Sequence, residues 1–481
     1  MEKSKILVLL FLLVKTLTYG QSDVVFTFSF DRHDSVSIEF QRDNVFNESG
    51  LGGVYQVVNV QDRPVTVRYA DVNAPARLTL GSYGWPGHFF ANDWIVEPGD
   101  SIHIYISFNN SPNPFITFQG NGATKYQLAF STRHLSDKFK GLEFEIYDKI
   151  KTHDQARKDA VELEREYLSK VRLAKHSIAP AVYKIWVTDI KSQANLAKLR
   201  ILSDQWTSQK ELRVFIQKEL LNRQDETEPA LLYTSRALVD YQSEITKWKL
   251  LQQYDPEYKP FDLGYIKQYT LKNLFDEFQK LPAAIREVLM VYTLGNHSTL
   301  AFVFGETHPS ILTECLALAD QVVTTNSLKI RLKKIKEYIE PGIVIENLRT
   351  ITESGDSLSL SDLRGRKIIL DLWGPGCTAC LDFKNDLVEH ILPNIKSRKD
   401  IIIWSIGGTS EKKLWQRYLP TYSHRDFTST WLQTPSSGTE WEKKYNISYS
   451  PFIMLIDEEG KLISSTVRRP DTILKLFGIA E

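Results

Sequence analysis

The sequence predicts a multidomain protein: an N-terminal all-β, sandwich-like domain, an α-helical middle region and a C-terminal α/β domain. Three observations carry this reading. Residues 24 to about 120 alternate apolar and polar side chains and are cut by turn signals. From Tyr126 to about Glu340 the chain is charged, poor in glycine and apolar at helical spacing. After Pro341-Gly342, strand patterns alternate with helix patterns. The expected boundaries are 1–20 for a leader, 21–122 for the β domain, 123–340 for the helical region and 341–481 for the α/β domain.

The leader reads "MEKSKILVLLFLLVKTLTYGQSD". Lys3 and Lys5 precede the apolar run Ile6 to Val14, and small or polar residues follow to Gly20. That order is the order of a secretory signal peptide. So short an apolar run does not span the roughly 30 Å of a bilayer core as a helix, so a membrane anchor is the weaker alternative. The reading expects cleavage near Gly20 and an exported, periplasmic or otherwise extracytoplasmic, mature protein.

In the β domain, "SVSIEF" sets Val36, Ile38 and Phe40 on one face. "PVTVRYA" does the same with Val65, Val67 and Tyr69, and "SIHIYISF" with Ile102, Ile104, Ile106 and Phe108. The turn signals "ESGLGG", "YGWPG", "VEPGD" and "SPNP" separate these strands, as in a sandwich or barrel. In the helical region, Ala156, Ala160, Leu163, Tyr167, Val171 and Ala174 step by fours and threes, one helix face.

The last region expects a strand at Lys367–Trp373, a helix from about Cys380, a strand at Ile401–Ile406 and a helix over about Ser410–Leu419. A hairpin of Phe452–Asp457 and Lys461–Val467 follows, then a helix from Asp471. Ile368–Leu372 is almost wholly apolar, which suits a central strand.

Bulk properties narrow the function. Lysine plus arginine and aspartate plus glutamate number 59 each, so no net field selects nucleic acid. At 42% apolar residues the chain builds real cores. Three cysteines make no disulfide-stabilised scaffold, and one must be left over.

Two of the three lie in "DLWGPGCTAC", at Cys377 and Cys380. Three readings compete. A structural zinc site needs four ligands, and neither a second cysteine pair nor a close histidine pair completes one. A purely structural disulfide would close a very short loop, which removes little entropy from the unfolded chain. A working redox pair needs a strand, a short loop and a helix starting at the first cysteine, and the pattern supplies that order. The positive end of the helix dipole then favours a thiolate at Cys377, and Cys380 lies one turn later and inward. Cys315, in "PSILTECLALADQVV", shares an apolar face with Leu312, Ala319 and Val322, and reads as a buried, inert thiol.

This segment resembles the active-site segment of the thioredoxin superfamily, most nearly the exported TlpA/ResA-like thiol–disulfide oxidoreductases. "DSLSLSDLRGRKIILDLW" and "YNISYSPFIMLIDEEGKLI" flank it as they do in that family. The resemblance covers roughly residues 341–481. It implies a thioredoxin-like fold for the C-terminal domain and a Cys377–Cys380 disulfide in the oxidised state. Cys377 would be the nucleophile, Cys380 the resolving thiol, and Asp371 the buried carboxylate that relays a proton. Trp373, Ser450 and Pro451 would form the substrate-binding surface, with Pro451 on the family's cis-proline. It implies no cofactor and no metal. The partners would be a disulfide-bearing exported protein or apocytochrome and a membrane electron donor, with no nucleic acid. Two positions depart from the family pattern: Gly376 stands where relatives carry tryptophan, and Ala379 where many carry proline. The rival class is a binding or scaffold protein whose C-terminal domain recognises extended peptides without turnover.

Overall fold

A computed structural model describes residues 22–30, 34–41, 53–60, 63–72, 74–82, 89–107, 115–147, 152–204, 214, 229–254, 270–303, 306–434, 439–447 and 449–479. The expected leader, 1–20, lies outside the described residues. The chain divides into two compact units, one built around Gly52–Ile201 and the other around Leu238–Glu481.

The first unit opens with eight strands: β1 Ser22–Phe30, β2 Asp34–Gln41, β3 Gly53–Val60, β4 Val65–Val72, β5 Ala76–Ser82, β6 Phe89–Val96, β7 Ser101–Ser107 and β8 Phe115–Asn121. They form two four-stranded sheets, β4-β1-β7-β8 and β3-β2-β5-β6. The period-two pattern becomes burial: Val24, Phe26 and Phe28 of β1, Val36, Ile38 and Phe40 of β2, and Ile102, Ile104 and Ile106 of β7 all face inward. The sheets meet where Phe40 stacks on Tyr69, ring centroids 3.9 Å apart.

Three helices follow: α1 Ala123–Tyr147, α2 His153–Leu173 and α3 Pro180–Asp204. Thr152 caps α2 by accepting from the Gln155 amide. The face of α2 that steps by fours and threes is the buried one, from Ala156 to Val171.

The second unit contains α4 Leu271–Gln279, α5 Ala283–Gly295, α6 Pro309–Val322 and α7 Asn326–Ile339. The helical stretch between the β-rich and α/β parts is thus shared between the two units. Seven strands then join in one sheet: β9 Arg349–Thr352, β10 Ser357–Ser359, β11 Lys367–Trp373, β12 Ile401–Thr409, β13 Thr428–Gln433, β14 Phe452–Ile456 and β15 Leu462–Ser464. Their order is β10-β9-β13-β12-β11-β14-β15. The apolar strand β11 runs parallel to β12 and antiparallel to β14, and so is buried on both sides. Helices α8 Thr378–Asp386, α9 Lys412–Tyr422, α10 Glu440–Lys444 and α11 Pro470–Leu476 also belong to this unit.

Strand β13 and the β9/β10 hairpin add to the strands read from the sequence. In β13, only Thr430 and Leu432 are buried, so threonine carries half of its period and the apolar signal is thin. Among the described residues, no helix is long and apolar enough to cross a membrane.

Candidate active site

Strand β11 places the site. Period two turns Ile369, Asp371 and Trp373 to one face of the sheet, and Ile369 packs there with Phe383 of α8 while Trp373 packs with Cys380. By register, Asp371 stands between Ser405 of β12 and Ile453 of β14. After Trp373 the chain turns through Gly374-Pro375-Gly376 and enters α8 with Cys377 as its N-cap.

The Cys377 Sγ accepts a hydrogen bond from the Cys380 amide at 3.1 Å. The same geometry places that sulfur at the positive end of α8, where negative charge on it is favoured. The two cysteines are joined as a disulfide, their Cα atoms 5.3 Å apart. They differ in access: Cys377 is half-buried, whereas Cys380 is 2% exposed. An incoming group therefore meets Cys377 first.

The loop between strand and helix is braced from beneath. Gly376 has φ +84°, a backbone that a residue with a side chain rarely adopts. The Gly376 amide donates to the Tyr422 hydroxyl at 2.9 Å, and the Tyr422 ring stacks on Trp373 with centroids 5.0 Å apart. Trp373 donates its indole N–H to the Ser405 Oγ at 3.0 Å. Only a glycine lets these rings close over β12. A Cβ on Gly407 would stand 2.3 Å from Trp415 and 2.7 Å from Trp373. Trp373 is itself buried, so it shapes the loop from inside.

The second loop comes from the start of β14. The Ser450–Pro451 peptide bond is cis. Ser450 is exposed and lies against the first loop, its Oγ 4.0 Å from where a Cβ on Gly374 would stand. The structure thus brings Ser450 and Pro451 to the loop that precedes Cys377. The carbonyl oxygen of Pro451 accepts from the Arg468 guanidinium.

Asp371 is 1% exposed, and among the described residues neither carboxylate oxygen has a hydrogen-bond partner. Burial pushes its carboxyl up to about 7, and the positive charge of Arg468 pulls the other way. A carboxyl poised there takes and gives a proton near neutral pH. Cys315, in contrast, lies 2% exposed in the middle of α6. Burial pushes its thiol up to about 12, with Glu314 and Asp276 adding to the effect.

The sequence reading missed Tyr422, Arg468 and His297. Tyr422 had a faint signal, since Tyr418 and Tyr422 are one turn apart on α9. The other two lie far along the chain from what they touch.

No protein-family model matches the chain, and no curated protein matches it. Solved structures match part of it. A thiol:disulfide interchange protein from Bacteroides sp. is 23% identical, over 30% of this chain and 91% of its own, with a TM-score of 0.27. A thioredoxin-like protein from Bacteroides caccae is 14% identical, over 53% of this chain and 95% of its own, with a TM-score of 0.32. A thiol:disulfide interchange protein DsbE from Chlorobium tepidum, so described as putative, is 17% identical, over 29% and 96%, with a TM-score of 0.25. Over these shares the chain is similar to thioredoxin-like proteins.

Proposed function

We propose that the protein is an exported thiol–disulfide oxidoreductase whose Cys377/Cys380 pair reduces a disulfide in another exported protein or an apocytochrome. One arrangement carries the reading: a half-buried cysteine caps a helix and is bonded to a buried one a turn later, and the strand that leads into that helix carries a buried carboxyl without a hydrogen-bond partner among the described residues.

The reaction balances within these groups. In the reduced protein, the Cys377 thiolate attacks one sulfur of the partner disulfide. A mixed disulfide forms and the partner's other sulfur leaves as a thiolate. The Cys380 thiol passes its proton to the Asp371 carboxylate and attacks the Cys377 sulfur. The Cys377–Cys380 bond forms, the partner's second thiolate leaves, and two electrons have moved to the partner. A membrane electron donor returns two electrons to the pair. The sulfurs carry the electrons, so the step needs no further cofactor. The loop at Ser450-Pro451 offers the backbone edge against which an extended substrate segment lies.

The test uses the full chain. Wild-type protein should reduce insulin disulfides with dithiothreitol as electron source. Cys380→Ser should accumulate a mixed disulfide on non-reducing gels, because no second thiol remains to release the partner. Cys377→Ser should trap nothing, since the remaining thiol is buried. Trapping by Cys377→Ser alone would reverse the two roles. Absence of both trapping and insulin reduction would overturn the reading in favour of a peptide-binding module.

A further inference from the structure

The mechanism leaves one buried group of polar side chains unused. It gathers where the segment after α5 meets the loops on either side of β14 and β15. His297, 1% exposed, sits at its centre. Its Nδ1 lies 2.5 Å from the Tyr449 hydroxyl and its Nε2 2.8 Å from the Ser465 hydroxyl. A neutral imidazole has one donor and one acceptor, so it satisfies both hydroxyls at once. The ring also lies 5.0 Å from that of Phe452, the first residue of β14.

A second clamp closes on the far side. The Glu306 carboxylate accepts from the backbone amides of Arg468, at 3.4 Å, and Arg469, at 3.2 Å, and from the Thr472 hydroxyl at 2.5 Å. The Thr466 hydroxyl donates to the Thr307 carbonyl at 2.7 Å. His297, Glu306 and Thr307 thus hold Tyr449 at one end and the stretch from Ser465 to Thr472 at the other. Between those ends, Arg468 reaches back to the carbonyl of Pro451.

We propose that Arg468 is the positioning residue of the redox centre: its guanidinium holds the Pro451 carbonyl and turns its charge toward Asp371, and Glu306 and His297 hold that arrangement in place. The inference rests on the oxidoreductase reading. It makes the segment after α5 a working part of the centre, since the two loops that Arg468 joins are both pinned by it.

Among the described residues, the charged and titratable groups around Asp371 and Arg468 include Glu306, which accepts from the Arg468 amide. Arg468 follows β15, Tyr449 precedes β14, His297 follows α5, and Cys377 and Cys380 open α8. Burial and the Arg468 charge keep His297 neutral, lowering it to about 3. Arg468 is therefore the cation that acts on Asp371 near neutral pH, and its removal leaves burial to act alone.

The experiment follows the reduction potential of the Cys377/Cys380 couple against pH, in glutathione buffers, with the full chain. A buried carboxyl that titrates with the pair bends this curve at its pKa. Wild type should bend near pH 7, and Asp371→Asn should abolish the bend. Arg468→Met should move the bend to higher pH by about one unit or more. Arg468→Lys, which keeps the charge, should restore most of the wild-type position. A bend that stays in place in Arg468→Met overturns the proposal, whatever that variant does to stability. So does a wild-type curve without an Asp371-dependent bend. Should Arg468→Met fail to fold, Glu306→Ala carries the test: a smaller shift of the same sign supports the proposal and an unmoved bend overturns it. The potential is measurable whether or not insulin is reduced. Failure of both insulin turnover and mixed-disulfide trapping, with the expected shifts, therefore rejects the oxidoreductase reading and leaves the coupling of Arg468 to Asp371 standing.

Discussion

Two buried aspartates, one in each unit, look alike by burial and differ in everything else. Asp100, 3% exposed, precedes β7 in the first unit. Its Oδ2 accepts from the Lys125 ammonium at 2.6 Å, the Tyr126 hydroxyl at 2.7 Å and the Glu97 amide at 2.8 Å. Lys125 is held a second time by Glu97, at 3.0 Å. Asp371, 1% exposed, has no such partner among the described residues and only a positive charge acting from a distance. A buried carboxylate that is fully paired fixes structure, because any change of its charge strands its partners. One left unpaired near a thiol pair keeps two protonation states within reach, which is a condition for relaying a proton. Satisfaction of hydrogen bonds, and not burial, separates the two roles.

The largest effect should come from the paired residue. Asp100→Asn leaves the Lys125 ammonium buried with Glu97 as its remaining counter-charge and weakens three bonds at once. The loss should be about 3–5 kcal/mol, read by urea denaturation of the first unit. The Cys377/Cys380 potential should not move. A loss below about 1 kcal/mol would break the comparison, since Asp100 would then be no more structural than a surface carboxylate.

Asp371→Asn should have the opposite sign. The folded carboxyl keeps its proton to about pH 7, whereas the unfolded one releases it near its ordinary 3.8. Between those values the native state binds more protons than the unfolded state, so stability falls as pH rises. Above pH 7 the full cost of a buried charge is felt. An asparagine carries no charge, so the variant should gain up to about 4 kcal/mol over wild type at pH 8 and little at pH 4. On the proposed relay, insulin reduction should fall by about 10²-fold, because Cys380 would lose its proton acceptor. Denaturation at both pH values, with turnover at pH 7, checks the pair of effects. A variant less stable than wild type at pH 8 would sink the account of Asp371 as an unsatisfied charge.

What could be read beforehand follows from the range of the interactions. Strand β11 runs over the residues expected of it, and α8, expected from about Cys380, begins two residues earlier at Thr378 with Cys377 as its cap; period, turn and helix start are local. Gly376 could be seen to depart from the pattern the segment resembles, but the positive φ that suits a glycine there could not. Tyr422 touches Gly376 across 46 residues, and His297 touches Tyr449 across 152. No local pattern encodes such pairs. Gly407 was silent for a related reason: a glycine in a strand does not announce which two tryptophans need its space.

The smallest effect concerns Cys315, which repeats the comparison with sulfur in place of carboxylate. Like Cys380 it is 2% exposed and lies in a helix. It sits in the middle of α6, away from the helix end that would favour a thiolate, and Leu312, Leu316 and Ala319 share its buried side. With its thiol pushed up to about 12, it stays protonated at any working pH, and a protonated thiol neither attacks nor resolves a disulfide. Cys315→Ala therefore removes only a sulfur from an apolar contact, a change of about 1 kcal/mol, and leaves insulin reduction and the potential where they were. In the reduced native protein, iodoacetamide should label Cys377 first and Cys315 only after denaturation, as peptide mapping will resolve. If Cys315 labels as fast as Cys377 at pH 7, burial has not silenced it. A third reactive thiol would then stand in the second unit, and position at a helix start would no longer be what sets Cys377 apart.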